Sequence, residues 1–208
     1  MTLLLLFAPT FFIFAGLYIF QSVPVTFALF YGWLLLITIV FKPIGLRYLT
    51  NKTALFIISI GAGLGAFFLV IISVGGALLH NELFESSQLE FLLKSWGFTG
   101  KYTVILVLVL TLVNPVLEEM YWRGFILQKL DQIKYKVIIS SLFYSLYHFL
   151  VLLPMFKEPY PVVFFLMVFL TGMIWGWMVI KYRTLWISII SHSLADIGII
   201  LLYFKYIL

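Results

Sequence analysis

Long apolar segments separated by short polar ones run through the whole chain. Seven stretches are close to the ~20 residues that a helix needs to cross a hydrocarbon core. They are Leu3–Phe20, Val25–Phe41, Ala54–Leu79, Tyr102–Gln128, Val137–Leu153, Val162–Ile180 and Leu185–Tyr203. The third is long enough to be tilted, or broken near Gly75 and Gly76. The pattern therefore predicts an all-α bundle of seven, or at most eight, transmembrane helices.

Composition agrees with a polytopic membrane protein. Of the 208 residues, 64% are hydrophobic and only 10% are charged, whereas a soluble domain carries about 25% charged residues. Linkers and charge blocks are absent, so residues 1–208 are interpreted as a single transmembrane domain. The N-terminus is apolar from Leu3 and lacks the basic start of a signal peptide, which favours an uncleaved first span. The absence of cysteine excludes disulfides, thiolate metal sites and cysteine nucleophiles.

The basic residues indicate an orientation. The net charge of +5 does not indicate nucleic-acid binding, because the basic residues are scattered over short loops. With a cytoplasmic N-terminus, eight basic residues fall inside and four outside, which is a strong positive-inside signal. The inside set is Lys42, Arg47, Lys52, Lys129, Lys134, Lys136, Lys181 and Arg183; the outside set is Lys94, Lys101, Lys157 and Lys205.

Two pairs of glycines predict close helix packing. Gly61 with Gly65, and Gly172 with Gly176, have the small-xxx-small spacing that lets transmembrane helices approach one another. We expect them to pack helices within the chain; a dimer interface is the alternative, and the oligomeric state is not readable from the sequence.

Ionisable residues interrupt the fourth span. Glu118, Glu119 and Arg123 lie within six residues, although one charge at the bilayer centre costs ~2.5–3.5 kcal/mol or more. Residues four apart share a helix face, so Glu119 can pair with Arg123. Glu118 is rotated by about 100° from Glu119 and should have different surroundings. One carboxylate can then be neutralised while the other stays available.

Two more polar pairs lie in other spans. Tyr144 and His148 are four apart in the fifth, and His192 and Asp196 are four apart in the seventh. At ~1.5 Å per residue, Glu118, His148 and His192 lie ~14–18 Å from the predicted cytoplasmic helix ends, near the middle of a ~30 Å core. We therefore predict one polar site around an intramembrane cavity, enclosed by spans four, five and seven.

Several chemistries are compatible with these residue types. A glutamate and a histidine can activate water, and a second histidine can stabilise an oxyanion. Glu118, His148 and His192 could instead bind zinc with an open water position. A serine nucleophile is a weaker hypothesis, since no nucleophile elbow surrounds the serines near the histidines. Those serines are Ser140, Ser141, Ser145, Ser191 and Ser193.

The three motifs resemble the signatures of a known family. Glu118-Glu119-xxx-Arg123, Tyr144-xxx-His148 and His192-xxx-Asp196 are similar to EExxxR, FxxxH and Hxxx(N or D) of the CPBP family. These are the CAAX proteases and bacteriocin-processing enzymes, including the prokaryotic Abi type. The resemblance covers about residues 102–200, and each motif is weak alone.

The resemblance implies an intramembrane endopeptidase built as a helical bundle around a conical cavity. By motif position, Glu118 and His148 would activate the attacking water, while His192 and Asp196 would form the oxyanion site. Glu119, Arg123 and Tyr144 would support them. Tyr144 departs mildly from the usual Phe. Asp196 departs from the Asn of eukaryotic CAAX endopeptidases, and an ionised aspartate would repel an oxyanion.

Function and setting follow as expectations. We expect a multi-pass protein of a prokaryotic plasma membrane whose partners are the lipid bilayer and a peptide or membrane-protein substrate. Prenylation of the substrate is not readable, and no cofactor is required by the sequence, although zinc is an option. A non-proteolytic immunity or scaffold protein of the same fold is the alternative. A proton-coupled transporter is a further one, since Glu, His and Asp chains relay protons.

Overall fold

Helices make up nearly all of the computed structural model, which describes residues 2–41 and 51–208. The described part of the chain forms eight helices and no strand. They are α1 Thr2–Ile19, α2 Val23–Phe41, α3 Asn51–Leu83, α4 Ser86–Ser95, α5 Thr103–Lys129, α6 Lys136–Leu152, α7 Tyr160–Tyr182 and α8 Trp186–Tyr206. The predicted all-α transmembrane bundle is confirmed.

Each predicted span coincides with one helix. Six helices are long and apolar enough to cross a membrane: α1, α2, α3, α5, α7 and α8. Helix α6 is apolar but has only 17 residues. The break considered near Gly75 and Gly76 does not occur, because α3 is continuous from Asn51 to Leu83.

The connections alternate between two ends of the bundle. Lys136 and Arg183 line one cavity, so the α5–α6 and α7–α8 connections lie at the same end. At the other end, the backbone amide of Lys157 donates to the carbonyl of Leu83 at 2.8 Å, joining the α6–α7 connection to the end of α3. Of the basic loop predicted at Lys42–Lys52, residues 42–50 lie outside the described part of the chain, as does the Lys52 side chain.

A proline in α1 helps to position α5. Pro9 lacks an N–H, so the carbonyl of Leu5, one turn earlier, has no helical donor. The hydroxyl of Tyr121 in α5 donates to that carbonyl at 2.5 Å. The indole N–H of Trp33 in α2 donates to the same hydroxyl at 3.2 Å. Tyr121 therefore joins three helices just beyond the paired glutamates.

Glycines set the close approach of α3 to α8. A Cβ at Gly61 would lie 3.2 Å from the Cα of Ile187, and one at Gly65 would lie 2.9 Å from the Cα of Ser191. From the other side, a Cβ at Gly198 would lie 3.2 Å from the carbonyl oxygen of Leu69. These contacts confirm that the Gly61–Gly65 pair packs helices within the chain. They also bring α3 against the part of α8 that carries His192.

Adding one methyl group at this contact is expected to destabilise the bundle. In Gly65→Ala the new Cβ would lie within 3 Å of Ser191 and Leu194. The helices would have to separate, which should lower the free energy of unfolding by ~1–3 kcal/mol. Thermal and denaturant unfolding in detergent would measure the loss.

Gly63→Ala is the matched control, because a Cβ there meets nothing within 4 Å and alanine is the better helix former. Equal stability of the two variants would contradict the packing account.

Candidate active site

Irregular helix geometry surrounds the two glutamates. Residues Asn114–Glu119 form an α-helical turn of α5 between two π-helical segments, Val109–Val113 and Met120–Ile126. Such wide turns are rare and often occur at functional sites. Pro115 follows the first of them and lacks the N–H that would continue the helical ladder. The structure thus places a wide turn on each side of the segment that carries the two carboxylates.

Arg123 and Glu119 form an ion pair inside the bundle. Arg123 Nη1 donates to Glu119 Oε1 at 2.9 Å, and both side chains are buried. Arg123 Nη2 also donates to the carbonyl of Gly172 in α7 at 3.4 Å. The guanidinium lies over the rings of Tyr144 and Trp175, at 4.1 and 5.3 Å from their centroids. Arg123 thus joins α5, α6 and α7 around the charge of Glu119.

Gly172 makes this arrangement possible. A Cβ at residue 172 would lie 3.0 Å from Arg123 Nη2 and 3.2 Å from the Cβ of Ser141. Only a residue without a side chain lets α7 come this close while its carbonyl accepts from the guanidinium. The second predicted glycine pair, Gly172 with Gly176, therefore also packs helices within the chain.

His192 lies among three carboxylates. Its Nδ1 is 3.3 Å from Glu119 Oε1, and its Nε2 is 3.8 Å from Glu118 Oε2 and 3.7 Å from Asp196 Oδ2. The ring stacks on Trp175, with centroids 4.5 Å apart. The two glutamates thus approach opposite nitrogens of one imidazole. Their surroundings are less separate than a 100° rotation suggested, because both face α8.

Glu118 differs from Glu119 in its hydrogen bonding. Oε2 of each carboxylate is buried with no hydrogen-bond partner among the described residues, but Glu119 Oε1 accepts from Arg123, whereas Glu118 is paired with no arginine or lysine there. The hydroxyl of Tyr147 is close enough to act as a donor to Glu118, but it is buried and forms no hydrogen bond of normal geometry among the described residues. Buried polar groups normally have partners. The free capacity of these two groups is therefore available to a water molecule or a substrate.

Asn114 completes a four-residue arrangement between α5 and α8. Its Nδ2 donates to Asp196 Oδ2 at 3.2 Å, and both residues are buried. Asn114 and Glu118 lie one turn apart on α5, as His192 and Asp196 do on α8. Glu118 therefore faces His192 while Asn114 faces Asp196.

His148 lies at the edge of this arrangement and is half-buried. Its Nδ1 is 2.9 Å from the carbonyl of Tyr144, which can only accept, so Nδ1 carries a proton. In the neutral ring Nε2 is then a free acceptor. The ring contacts Tyr144 and Tyr147 at centroid distances of 4.6 and 4.4 Å. Among the described residues, no hydrogen bond or ion pair joins His148 to Glu118.

The structure therefore brings most of the predicted residues together. Five of them form a chain of neighbours, each within 4 Å of at least one other: Glu118, Glu119, Arg123, His192 and Asp196. His148 joins them only through aromatic rings: Tyr144 contacts it and lies 6.3 Å from His192 between ring centroids.

Three neighbours were missed as site residues: Asn114, Tyr147 and Trp175. The spacing of Asn114, four residues before Glu118, was the available signal. No such signal pointed to Trp175, because span six contains no internal ionisable residue.

The serine hypothesis gains no support. Ser140, Ser145 and Ser191 each donate to a backbone carbonyl, of Trp122, Leu142 and Ser188 respectively. Within residues 2–41 and 51–208, no hydrogen bond joins a serine to a histidine. Serine hydroxyls that donate to backbone carbonyls are not placed as nucleophiles.

The hypothesis of a zinc site gains no support either. Glu118 and His192 approach each other, but His148 does not join them as a third ligand. In the described part of the chain, no three His, Asp or Glu side chains are grouped so that they could hold a metal ion. The side chains present therefore do not form the zinc site that their identities allowed.

The polar centre is enclosed. Glu118 is 2% exposed and His192 3%. A cavity of about 410 Å³ opens at the end of the bundle where α5 meets α6, and it reaches Arg123. Its lining includes Gln128, Asp131 and Arg183 but neither glutamate nor histidine. Of the predicted histidines and carboxylates of the centre, half-buried His148 is the most accessible.

Removing the buried arginine is expected to destabilise the fold. Arg123→Ala leaves the Glu119 charge without its cation, and losing one partner of a buried pair typically costs ~3–5 kcal/mol. The measurement is the unfolding midpoint in detergent, together with the yield of folded protein.

Asp131→Asn is the matched control, since it removes the Lys136–Asp131 pair, whose aspartate is exposed. That change should cost under ~1 kcal/mol. A wild-type midpoint for Arg123→Ala would show that the ion pair does not hold the site.

Comparison with known proteins adds the family. Residues 100–198 match the family described as "Type II CAAX prenyl endopeptidase Rce1-like". No curated protein and no solved structure matches the chain. The matched segment runs from the start of α5 into α8 and includes all three motifs. Over residues 100–198, just under half of its length, the chain is similar to this family of CAAX prenyl endopeptidases.

Proposed function

We propose that the protein is an intramembrane endopeptidase that hydrolyses a peptide bond with water activated by Glu118 and His148. The observation that carries this proposal is the buried Glu118 carboxylate, whose Oε2 has no hydrogen-bond partner among the described residues while His192 Nε2 lies 3.8 Å away. A carboxylate held beside a histidine, away from bulk water, has the composition of a general-base site. Similarity to the CAAX prenyl endopeptidases in the same segment supports a protease in general.

In the proposed reaction, Glu118 removes a proton from water while the free Nε2 of His148 orients it. The hydroxide attacks the carbonyl carbon of the scissile bond, and a tetrahedral intermediate forms. Glu118 then returns the proton to the leaving nitrogen as the C–N bond breaks. The products are one carboxylic acid and one amine, and transfer of the acid proton to the amine gives the carboxylate and the ammonium, so every proton is accounted for.

Glu119 and Arg123 have a different role in this proposal. Their mutual pairing holds Arg123 over Tyr144 and leaves Glu119 facing Nδ1 of His192. A carboxylate that accepts from Nδ1 fixes the ring, so that Nε2 points toward Glu118 and Asp196. In its doubly protonated form, His192 then carries an Nε2–H that can donate to the carbonyl oxygen as negative charge develops there. Asp196 would act by holding His192 and its other neighbours.

The membrane setting limits the substrate class. The chain is a multi-pass membrane protein, so a substrate must reach the site from the bilayer or its surface. We propose a lipidated peptide or a membrane-protein segment as substrate. The positive-inside pattern supports a cytoplasmic N-terminus in the plasma membrane, with the α5–α6 and α7–α8 connections on the cytoplasmic side.

Replacing one atom of the proposed base should abolish turnover. Glu118→Gln keeps the shape of the side chain but cannot take a proton, so kcat/KM should fall by ~10²–10⁴-fold. Cleavage of a lipidated-peptide library by purified protein in detergent, read by mass spectrometry, measures the loss.

Glu90→Gln, at an exposed carboxylate on α4, controls for the substitution itself. Equal cleavage by Glu118→Gln and wild type would rule out the assigned base. If neither protein cleaves any peptide under any condition, a binding or immunity protein of the same fold becomes the better interpretation.

Removing the side chain of His148 should lower turnover and leave the stability of the fold unchanged. His148 is half-buried and hydrogen-bonds only to its own helix backbone, so His148→Ala should leave the unfolding midpoint near wild type. Its kcat/KM should drop by ~10²-fold or more.

Tyr144→Phe retains the ring that contacts His148 and Arg123 and should keep most activity. Normal turnover by His148→Ala would exclude the proposed water-activating pair.

A further inference from the structure

The proposed reaction needs a hydrogen-bond donor that Asp196 does not supply when ionised. Negative charge develops on the carbonyl oxygen, and donors aimed at it give a large part of the catalysis. An ionised aspartate is an acceptor only. Asp196 Oδ2 is already an acceptor here, 3.2 Å from Asn114 Nδ2. A second donor, beside Nε2–H of His192, must therefore come from another residue of the site.

Asn114 has the required chemistry. A side-chain amide carries two N–H donors and one acceptor oxygen. The facing carboxylate of Asp196 fixes which way round the amide lies, because only the nitrogen can face an acceptor. One N–H is used by Asp196, and the described residues offer the nitrogen no other acceptor. The second N–H is free.

The position of Asn114 is as specific as its chemistry. It is 4% exposed and lies one turn from Glu118 on the α-helical turn Asn114–Glu119. Residues four apart share a face, and the partner Asp196 lies 3.7 Å from Nε2 of His192. The free N–H thus lies in the same polar centre as the proposed base and His192.

We propose that Asn114 is a catalytic residue whose free amide N–H binds the oxyanion, with Asp196 as the positioning residue that orients the amide. The inference rests on the proposed hydrolase function and names the donor within that site. The amide of Asn114 lies on α5 and the carboxylate of Asp196 lies on α8. Helix α5 therefore carries both the proposed base and the oxyanion donor.

A rescue experiment tests this role. Asn114→Ala should lower kcat by ~10²–10³-fold, as expected for one oxyanion donor, with KM changed much less. Asp196→Asn in that background returns an amide to the site from α8 and should recover at least ten-fold in kcat. A purely structural Asn114 would not be rescued in this way, because the double variant sets an amide opposite a methyl group and does not restore the lost hydrogen bond.

Two more variants complete the experiment. Thr111→Val is the matched control: this buried hydroxyl of α5 donates to its own helix backbone, at Val107, and its loss should leave kcat unchanged. If Asn114→Ala does not fold, Asn114→Asp and the exchange Asn114→Asp with Asp196→Asn replace it. The single change should be inactive, and the exchange should be active again.

The outcomes separate the two levels of the proposal. Wild-type kcat in Asn114→Ala, or a loss that Asp196→Asn does not rescue, overturns the donor role and leaves the hydrolase intact. Failure of the wild-type protein to cleave any lipidated peptide overturns the proposed function and the donor role with it. Loss in Asn114→Ala with rescue by Asp196→Asn supports both.

Discussion

The buried ion pair between Arg123 and Glu119 is the interaction on which the rest of the site depends. Its atoms lie 2.9 Å apart in a part of the bundle where neither side chain meets water. In such surroundings a charge is tolerated only with a partner and satisfied hydrogen bonds. Arg123 reaches Gly172 of α7 and the ring of Tyr144 on α6, so the pair also fixes how three helices meet.

This pair separates the two adjacent glutamates by role. Glu119 is held by Arg123 and faces Nδ1 of His192, while Glu118 faces Nε2 of the same ring and is paired with no arginine or lysine among the described residues. The positive charge of the Arg123 guanidinium offsets the repulsion between the two carboxylates. The energetic cost of burying Glu118 beside Glu119 is therefore lower. The chemistry proposed for Glu118 is thus possible only where Glu119 is paired.

The spans and the ion pair were predictable because they depend on local rules. The length of each apolar stretch predicts a helix. The four-residue spacing predicts that Glu119 lies beside Arg123 and that His192 lies beside Asp196. The contacts across helices were not predictable in the same way. Both carboxylates face α8 because the ring of His192 presents one nitrogen to each of them, and the spacing of residues along α5 does not reveal that contact.

Other site features depend on packing that one helix cannot reveal. Trp175 stacks on His192 from a helix with no internal charge, and hydropathy does not distinguish it from a lipid-facing tryptophan. Asn114 reaches Asp196 across the contact between α5 and α8, which no pattern within either helix predicts. His148 was predicted to share the depth of Glu118, yet the structure connects it to the centre through Tyr144 and Tyr147.

The most direct measurement compares the unfolding midpoints of Glu118→Gln and Glu119→Gln in the same detergent. Because Glu119 is the counter-ion of a buried arginine, its replacement should lower the midpoint strongly. Replacing Glu118 removes a buried carboxylate whose Oε2 has no hydrogen-bond partner among the described residues, so that midpoint should be unchanged or higher. Equal shifts in the two variants, or a larger loss for Glu118→Gln, would contradict the division of roles.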